Sequence, residues 1–437
     1  MKHFKLLFAA LLVLSFNVIA AGEQRRTPDV SIATKQPVEH KSGYKDNPKI
    51  GGPSSVSAQL EEDDAVKEPA FVFPKADNFF TPWFEWKKML NEDRKIQLGT
   101  DFSLLYQKAS DSLPNGADNA ASGVFRLFGK WVAVGHGTKN TGSVFVRVEY
   151  RDKIGTDIPP SKLGGIFDNP GIGYQGITGT LFTDVGAVIT DLNWQQSFNQ
   201  GNSGVIIGRY DPNDYMNIGG FVNPWTTFSN ATILVDNSIA LPDASWGIAG
   251  GSWIGGDQWH FIAAANDANG VHDDNSFFED GSEFFSFIEL GWTPSRTERY
   301  FKKVSLTYWH ADERVNAGIT QGDGFAFTTN WTFDKKWMVF LRGGKGSGAE
   351  ANRLLEKNMT AGFIMRFYKS DLLGFGYNIG EPTGSVTTNQ QVSELFYRWQ
   401  LSQGIAITPS VQLLIDPANN PFEDRIWVAG IRARLTL

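Results

Sequence analysis

Catalysis and metal binding need particular side chains brought close together, and this chain of 437 residues offers few of them. Its histidines stand at His3, His40, His136, His260, His272 and His310, with no pair at the i, i+4 spacing that puts two imidazoles on one zinc ion. The complete lack of Cys excludes a thiol nucleophile, a zinc ribbon, an iron–sulfur site and a disulfide scaffold. A serine hydrolase would need Ser beside His with an acidic or amide orienter. His310 falls at an outward parity near a strand end, where a lipase site is imaginable, yet no G-x-S-x-G motif accompanies it. No enzymatic activity is expected. Hard oxygen ligands do gather in one loop, at Asp267, Asn269, Asp273 and Asp274, where a calcium ion could tie the loop down. The spacing is not that of an EF-hand, and a solvated acidic loop is the simpler reading.

The more informative polar residues recur at every second position within apolar runs. Parity places Arg126, Lys130, Arg147, Glu149, Arg151, Asp191, Asn193, Glu283, Glu289, Glu394, Arg398, Gln412, Arg432 and Arg434 on one side of their strands, and Arg209 and Asp211 join them as candidate channel-lining residues. Cations, carboxylates and amides together suit a neutral polyol, whose hydroxyls both donate and accept. An ion-selective pore would carry a one-sided ring of charge instead.

Which elements could hold such residues follows from composition. The balance of 40 Lys+Arg against 47 Asp+Glu leaves a net charge of −7, and no basic face for nucleic acid. Mean hydropathy is −0.25, too polar for a helical membrane bundle. Yet the chain holds 33 Phe, 14 Trp, 11 Tyr and 46 Gly. Rich in aromatics and Gly while polar on average, it has the composition of a β-barrel with a wet inside and a lipid-facing outside.

The N-terminus reads as a secretory signal peptide over 1–20: Lys2, His3 and Lys5 precede an apolar run from Leu6 to Ile19 and a small-residue cleavage site. Residues 21–78 are polar, broken by Pro and carry the acidic run Glu61-Glu62-Asp63-Asp64, which predicts a flexible, solvated periplasmic leader. Residues 79–95 predict a short amphipathic helix. Thr81 would cap it, Pro82 would take its first position, and Trp83, Trp86, Met89 and Leu90 would form an apolar face able to seal the bottom of a barrel.

From Ile96 onward the period is two. Ile96, Leu98, Thr100, Phe102, Leu104 and Tyr106 alternate with polar or small residues, and Trp427, Ala429, Ile431, Ala433, Leu435 and Leu437 do the same at the end. Such segments number about sixteen over 96–437, each long enough to cross a bilayer as a tilted strand. Their connections alternate long and short: 152–186 then 200–203, 213–244 then 254–257, 345–358 then Lys369-Ser370. A soluble sandwich gives no reason for that alternation, whereas outer-membrane barrels have long outer loops and short periplasmic turns. Rings such as Trp131, Tyr150, Tyr210, Trp259, Trp292, Tyr308, Trp337, Trp399 and Trp427 would form the two interfacial girdles. The predicted fold is all-β, a transmembrane antiparallel barrel of about sixteen strands.

At the C-terminus the residues run Glu394-Leu-Phe-Tyr397-Arg398-Trp-Gln400, Thr408-Pro409-Ser-Val411-Gln412, Asp416-Pro417-Ala418 and Trp427-Val428-Ala-Gly430-Ile-Arg432. With Gly208-Arg-Tyr-Asp211-Pro-Asn-Asp214-Tyr215, this progression resembles the carbohydrate-selective porin family of Gram-negative outer membranes, the OprB type. The resemblance covers roughly Trp83 to the end. It implies sixteen strands, outer loops 152–186 and 213–244 folded in to narrow the channel, and passive uptake of mono- or oligosaccharides without a cofactor. It also implies contact with outer-membrane lipid and lipopolysaccharide, handling by the barrel-assembly machinery, and a homotrimer among the assemblies open to such a barrel. Two features depart from the family: the chain ends on Leu437 rather than Phe, and the long Pro-broken leader is not a fixed family element. A general, non-selective porin is the alternative, with an outer-membrane barrel hydrolase behind it.

Overall fold

The computed structural model describes residues 41–44, 51–166, 169–271, 282–334, 336–384 and 389–437. The predicted signal peptide lies outside them. Sixteen strands, each antiparallel to its neighbours, form one closed barrel: β1 (Ile96–Ala109), β2 (Asn119–Val134), β3 (Gly142–Lys153), β4 (Gly186–Phe198), β5 (Ser203–Tyr210), β6 (Ser245–Ile254), β7 (Trp259–Asp267) and β8 (Phe284–Trp292), followed by β9 (Lys302–Ala311), β10 (Gly322–Phe333), β11 (Trp337–Gly348), β12 (Leu355–Arg366), β13 (Leu372–Pro382), β14 (Gln390–Gln400), β15 (Ile405–Ile415) and β16 (Arg425–Thr436). Closure is made by β1 pairing with β16, Leu104 opposite Ala433 and Tyr106 opposite Ile431. A closed sheet leaves no backbone edge for lipid to solvate, which is why the two-residue period can be this regular over so many strands.

Period two sets the outer face. Leu127, Leu192, Ile207, Ile248, Leu306 and Ile431 all point outward and are exposed. Outward rings sit at both ends, with Trp131, Trp259, Trp337 and Trp399 at the short-turn end and Tyr106, Tyr150, Tyr308 and Trp427 at the long-loop end. Tyr210 is a correction to this set: it is fully buried inside, its hydroxyl donating to Asn266 Oδ1 at 2.9 Å.

The interior differs from the expected water-filled lumen. Most inward residues of the strands are buried, because three segments fill the barrel. Two are the long loops predicted to fold in, 154–185 and 211–244; the latter includes a one-turn helix, α3 (Ala231–Leu234). The third is the leader. Its acidic stretch is not solvated but forms α1 (Val56–Asp64), packed against β1, β2 and β3 from within. Composition argued against a packed segment there, since α1 contributes only Val56 and Leu60 to an apolar cluster with Tyr44, Phe128 and Phe145. The wall supplies the rest of the binding surface.

From α1 the chain leaves by the short-turn end. Lys67 N donates to Gln403 Oε1 at 3.0 Å, Ala70 N to Gln400 O at 2.8 Å and Phe71 N to Leu401 O at 3.0 Å. A helix, α2 (Pro74–Met89), then returns it to β1 through a wider turn at Leu90–Arg94. The predicted start at Thr81 is displaced: Pro74 takes the first position, where its missing N–H costs nothing, and Pro82 lies inside the helix. Its orientation is also reversed. Lys87 faces the barrel bottom, over the Tyr44 ring, while Phe79 and Met89 are 72% and 54% exposed.

Candidate functional site

The predicted lumen residues do face inward, but they hold the inserted segments instead of standing in an open channel. On β1, β2 and β16 two guanidinium groups share one carboxylate. Arg126 Nε donates to Asp101 Oδ1 at 2.9 Å, with Nη2 on Oδ2, and Arg434 Nε donates to Asp101 Oδ2 at 3.0 Å. Both also reach α1: Arg126 Nη2 donates to Gln59 Oε1 at 3.0 Å, and Arg434 Nη2 donates to Asp63 Oδ2 at 2.8 Å. The Trp225 ring, from the inserted loop 211–244, lies under Arg126 at 3.9 Å, an arrangement that pairs a cation with an aromatic face.

A second cluster sits on β3 and β4. Between Arg147 and Val148 the pairing slips by one residue, so Thr190 and Asp191 both point inward. Arg147 uses both, with Nε donating to Thr190 Oγ1 at 2.8 Å and Nη2 lying 2.7 Å from Asp191 Oδ2. It also ties down Asp214 at 3.0 Å and the Ser54 carbonyl at 2.9 Å. Glu149 pairs with Arg151 at 2.7 Å, and Asn193 Nδ2 donates to Asp191 and to the Arg209 carbonyl. Gly208, the first residue of the strand-to-loop motif, has φ of 133° and lies against Leu192 O, where an added Cβ would come within 2.4 Å. Arg209 thereby turns toward the carbonyls of Ile189, in β4, and Val271, in the loop after β7, and Asp211 caps the following turn by accepting from Asn213 N.

On β8 and β9, Glu289 accepts from Lys303, Thr307 and Asn217 N. Opposite, on β14 to β16, Glu394 accepts from Ser229 N at 2.9 Å and Asn230 N at 2.9 Å. Gln412 bonds Asn230 and Thr178, and Arg432 donates to the carbonyls of Pro224 and Thr227, both at 2.6 Å. These partners belong to 154–185 and 211–244, so this wall is a seat of the inserted loops. Arg398 is buried beside Arg434 and Glu62. Lys130 lies over the Phe145 ring and lines a gap of about 30 Å³, one water's worth, with Ser143, Gln195 and Tyr215.

Sequence parity missed Asp101, Lys303 and Arg342, although all three share the alternation that revealed their neighbours. Arg342 donates to the carbonyls of Ile233 and Leu234. Gln59, Asp63 and Asp214 left no strand signal, since they lie on inserted segments. In the acidic loop, Asn269 N donates to Asp267 Oδ1 and its Nδ2 to Glu283 Oε2. Asp273 and Asp274 lie outside the described residues, and no group of three metal-ligating side chains occurs among the described ones.

The clamp on β14 to β16 is also where the chain matches known proteins. Residues 366–437 match the model of the carbohydrate-selective porin, OprB family. The matched stretch takes in β13 to β16. Within it, Glu394, Gln412 and Arg432 hold the inserted loops, while Arg342, which also holds loop 211–244, lies outside it. Among solved structures, the high pH structure of Pseudomonas putida OprB is similar with a TM-score of 0.62 and 13% identity, covering 81% of this chain and 97% of that one. The low pH structure of the same protein gives 0.47 with 12% identity over 81% and 96%. A triple mutant of Rhodopseudomonas blastica porin gives 0.47 with 12% identity over 78% and 100%. Likeness at such identity is a likeness of fold, that of a porin barrel. No curated protein sequence matches the chain.

Proposed function

We propose that this barrel is an outer-membrane channel for passive, carbohydrate-selective diffusion of mono- or oligosaccharides into the periplasm. The observation that carries the reading is that the stretch matching the carbohydrate-selective porin model supplies Glu394, Gln412 and Arg432, three of the side chains that hold the inserted loops in the barrel. The apolar outer face with rings at both ends supports placement in the outer membrane.

The chemistry of the interior suits a neutral polyol. Arg126, Arg147, Arg432 and Arg434 are donor forks, Asp101, Asp191, Glu289 and Glu394 are acceptors, and Asn193, Gln412 and Gln59 serve as both. Neither sign forms a ring of its own, so a permeant ion finds no selective field. A sugar moving down its gradient needs only weak, exchangeable bonds, strong enough to attract and weak enough to release. No bond is made or broken in such transport, which is why the reading requires no catalytic residue and no cofactor. Outer-membrane lipid and lipopolysaccharide would surround the barrel, and a homotrimer is an assembly open to it.

The test is swelling of liposomes loaded with the purified protein, using a panel of saccharides beside size-matched non-sugars. Faster swelling with the saccharides alone supports the reading. Equal rates for both groups would assign a general porin, and swelling with neither would remove the channel function.

A further inference from the structure

We propose that α1 occupies the saccharide path as an internal pseudo-ligand: Gln59 and Asp63 present side-chain oxygens to Arg126 and Arg434 where the hydroxyls of a sugar would bind, and permeation requires α1 to withdraw toward the short-turn end. This rests on the carbohydrate-channel reading above and adds to it a built-in competitor for the same site.

Two buried guanidinium groups sharing Asp101 leave the wall with one cation in excess and donors to spare. The leader meets that demand with Gln59 Oε1, which accepts from Arg126 at 3.0 Å and from Arg434 at 3.2 Å, and with Asp63 Oδ2 at 2.8 Å from Arg434. An oxygen between two donor forks is how a polyol would sit there too. Arg126 Nη1 is buried with no hydrogen-bond partner, a donor that α1 leaves unused. The Trp225 face beneath Arg126 completes a polar-plus-aromatic surface of the kind that holds a sugar ring.

The position of α1 is that of a stopper. It touches the wall through these arginines and loop 211–244 through Asn223 Nδ2 to Glu62 Oε2 at 3.1 Å, and just before it Gly52 N donates to Asp214 O at 2.7 Å. Gly52 packs so tightly on Ile218 that an added Cβ would lie 2.4 Å from it. What holds α1 is nevertheless mostly polar and exchangeable. Nine residues are too few to persist as a free helix, Ser55 makes no side-chain cap bond, and the first turn carries no acidic residue. Once the latch is lost the segment melts instead of lingering in the path. The chain that follows is fixed outside, at Gln400, Leu401 and Gln403, so the movable part is bounded near residue 66.

The absence of Cys from the sequence makes the test clean. Leu60→Cys and Phe128→Cys, contacting positions of one cluster, are joined by a short thiol cross-linker that a reductant cleaves, and glucose and maltose flux is read by liposome swelling. Flux should fall at least about tenfold in the linked protein and recover on cleavage. The double variant Gln59→Ala/Asp63→Ala, which leaves the wall intact and removes three hydrogen bonds to Arg126 and Arg434, should speed swelling by at least about tenfold, the weight of even one charged hydrogen bond. In the single variant Leu60→Cys, rising saccharide should accelerate maleimide labelling while a size-matched non-sugar does not, a readout independent of flux. Equal flux in the linked and cleaved forms, with labelling indifferent to sugar, overturns the plug and leaves the channel standing. No flux in any form overturns both.

Discussion

Of the three segments that fill this barrel, two are held by opposite means. Loop 211–244 is welded to the β11–β14 wall by apolar contact: Phe221 stacks on Phe340 at 4.0 Å, and Phe228 meets Phe396 edge-on at 4.9 Å, with Ile233 and Leu234 buried beside them. Its backbone carbonyls are taken by Arg342 and Arg432. The leader 51–66 is held on the β1–β3 and β16 wall mainly by ion pairs and amides, with an apolar cluster of five residues. Burial of apolar surface is non-directional and has no competitor in water. A buried ion pair gains little net free energy once desolvation is subtracted, and another polar ligand can replace either partner. In the proposed channel, the weld sets the width of the path and the latch sets whether it is open.

That contrast breaks most sharply under matched truncations. Phe228→Ala leaves a cavity in a core that cannot collapse and should cost about 3–5 kcal/mol, read as a fall in the urea midpoint of the detergent-solubilised barrel. Leu60→Ala should cost less, because α1 can undock before the barrel pays for the cavity. The loss is then capped at the docking free energy and appears as protease access to 51–66 with the urea midpoint unchanged. Equal midpoint shifts for the two variants would show that both segments are welded.

A smaller effect sharpens the same point within the constriction. Glu394→Gln keeps the shape but removes the charge that accepts from Ser229 and Asn230 N–H, and should loosen 229–230 by about 1–3 kcal/mol. Amide exchange at those two positions is the measurement, and the leader should not respond. A leader that loosens with the loop would mean that the two are held as one unit.

How far these features were legible in the sequence follows the same division. Strands such as Ile96–Ala109 and Arg425–Thr436 announce themselves because lipid enforces a strict alternation, and even the inward parity of Arg126, Glu394 and Arg432 could be read off. What those residues bind could not. Parity gives a side, but the partners Gln59, Ser229 and Pro224 sit on segments with no period. The leader misled for a physical reason: α1 is polar because it packs on a polar wall, and hydrophobicity is the signal by which buried segments are recognised. The reversed face of α2 has the same origin, since Lys87 is drawn to the Tyr44 ring and the Leu437 carbonyl while the apolar side is left outward.

The weakest expected effect tests the rim of the latch. Lys41 N donates to Asp64 O, and its ammonium sits 4.2 Å from the centre of the Phe84 ring. Burial, with Lys87 nearby, pushes its pKa down to about 8, against the opposing pull of Asp64 and Asp63 and with a further push from Lys67. The undocked chain keeps its proton to about 10.5 and so binds more protons than the docked one between these values. Docking should accordingly strengthen as pH rises from 7 to 10, and the ammonium is a burden at the lower end. Lys67 and Lys87 are lowered by burial as well and share the sign. Lys41→Met should therefore tighten docking a few-fold at pH 7 and flatten the rise without abolishing it, measured as labelling of Leu60→Cys with and without Lys41→Met at each pH so that the reagent's own pH dependence cancels. Equal labelling of the two proteins at every pH would place Lys41 outside the latch and leave its release to Asp63 and Gln59 alone.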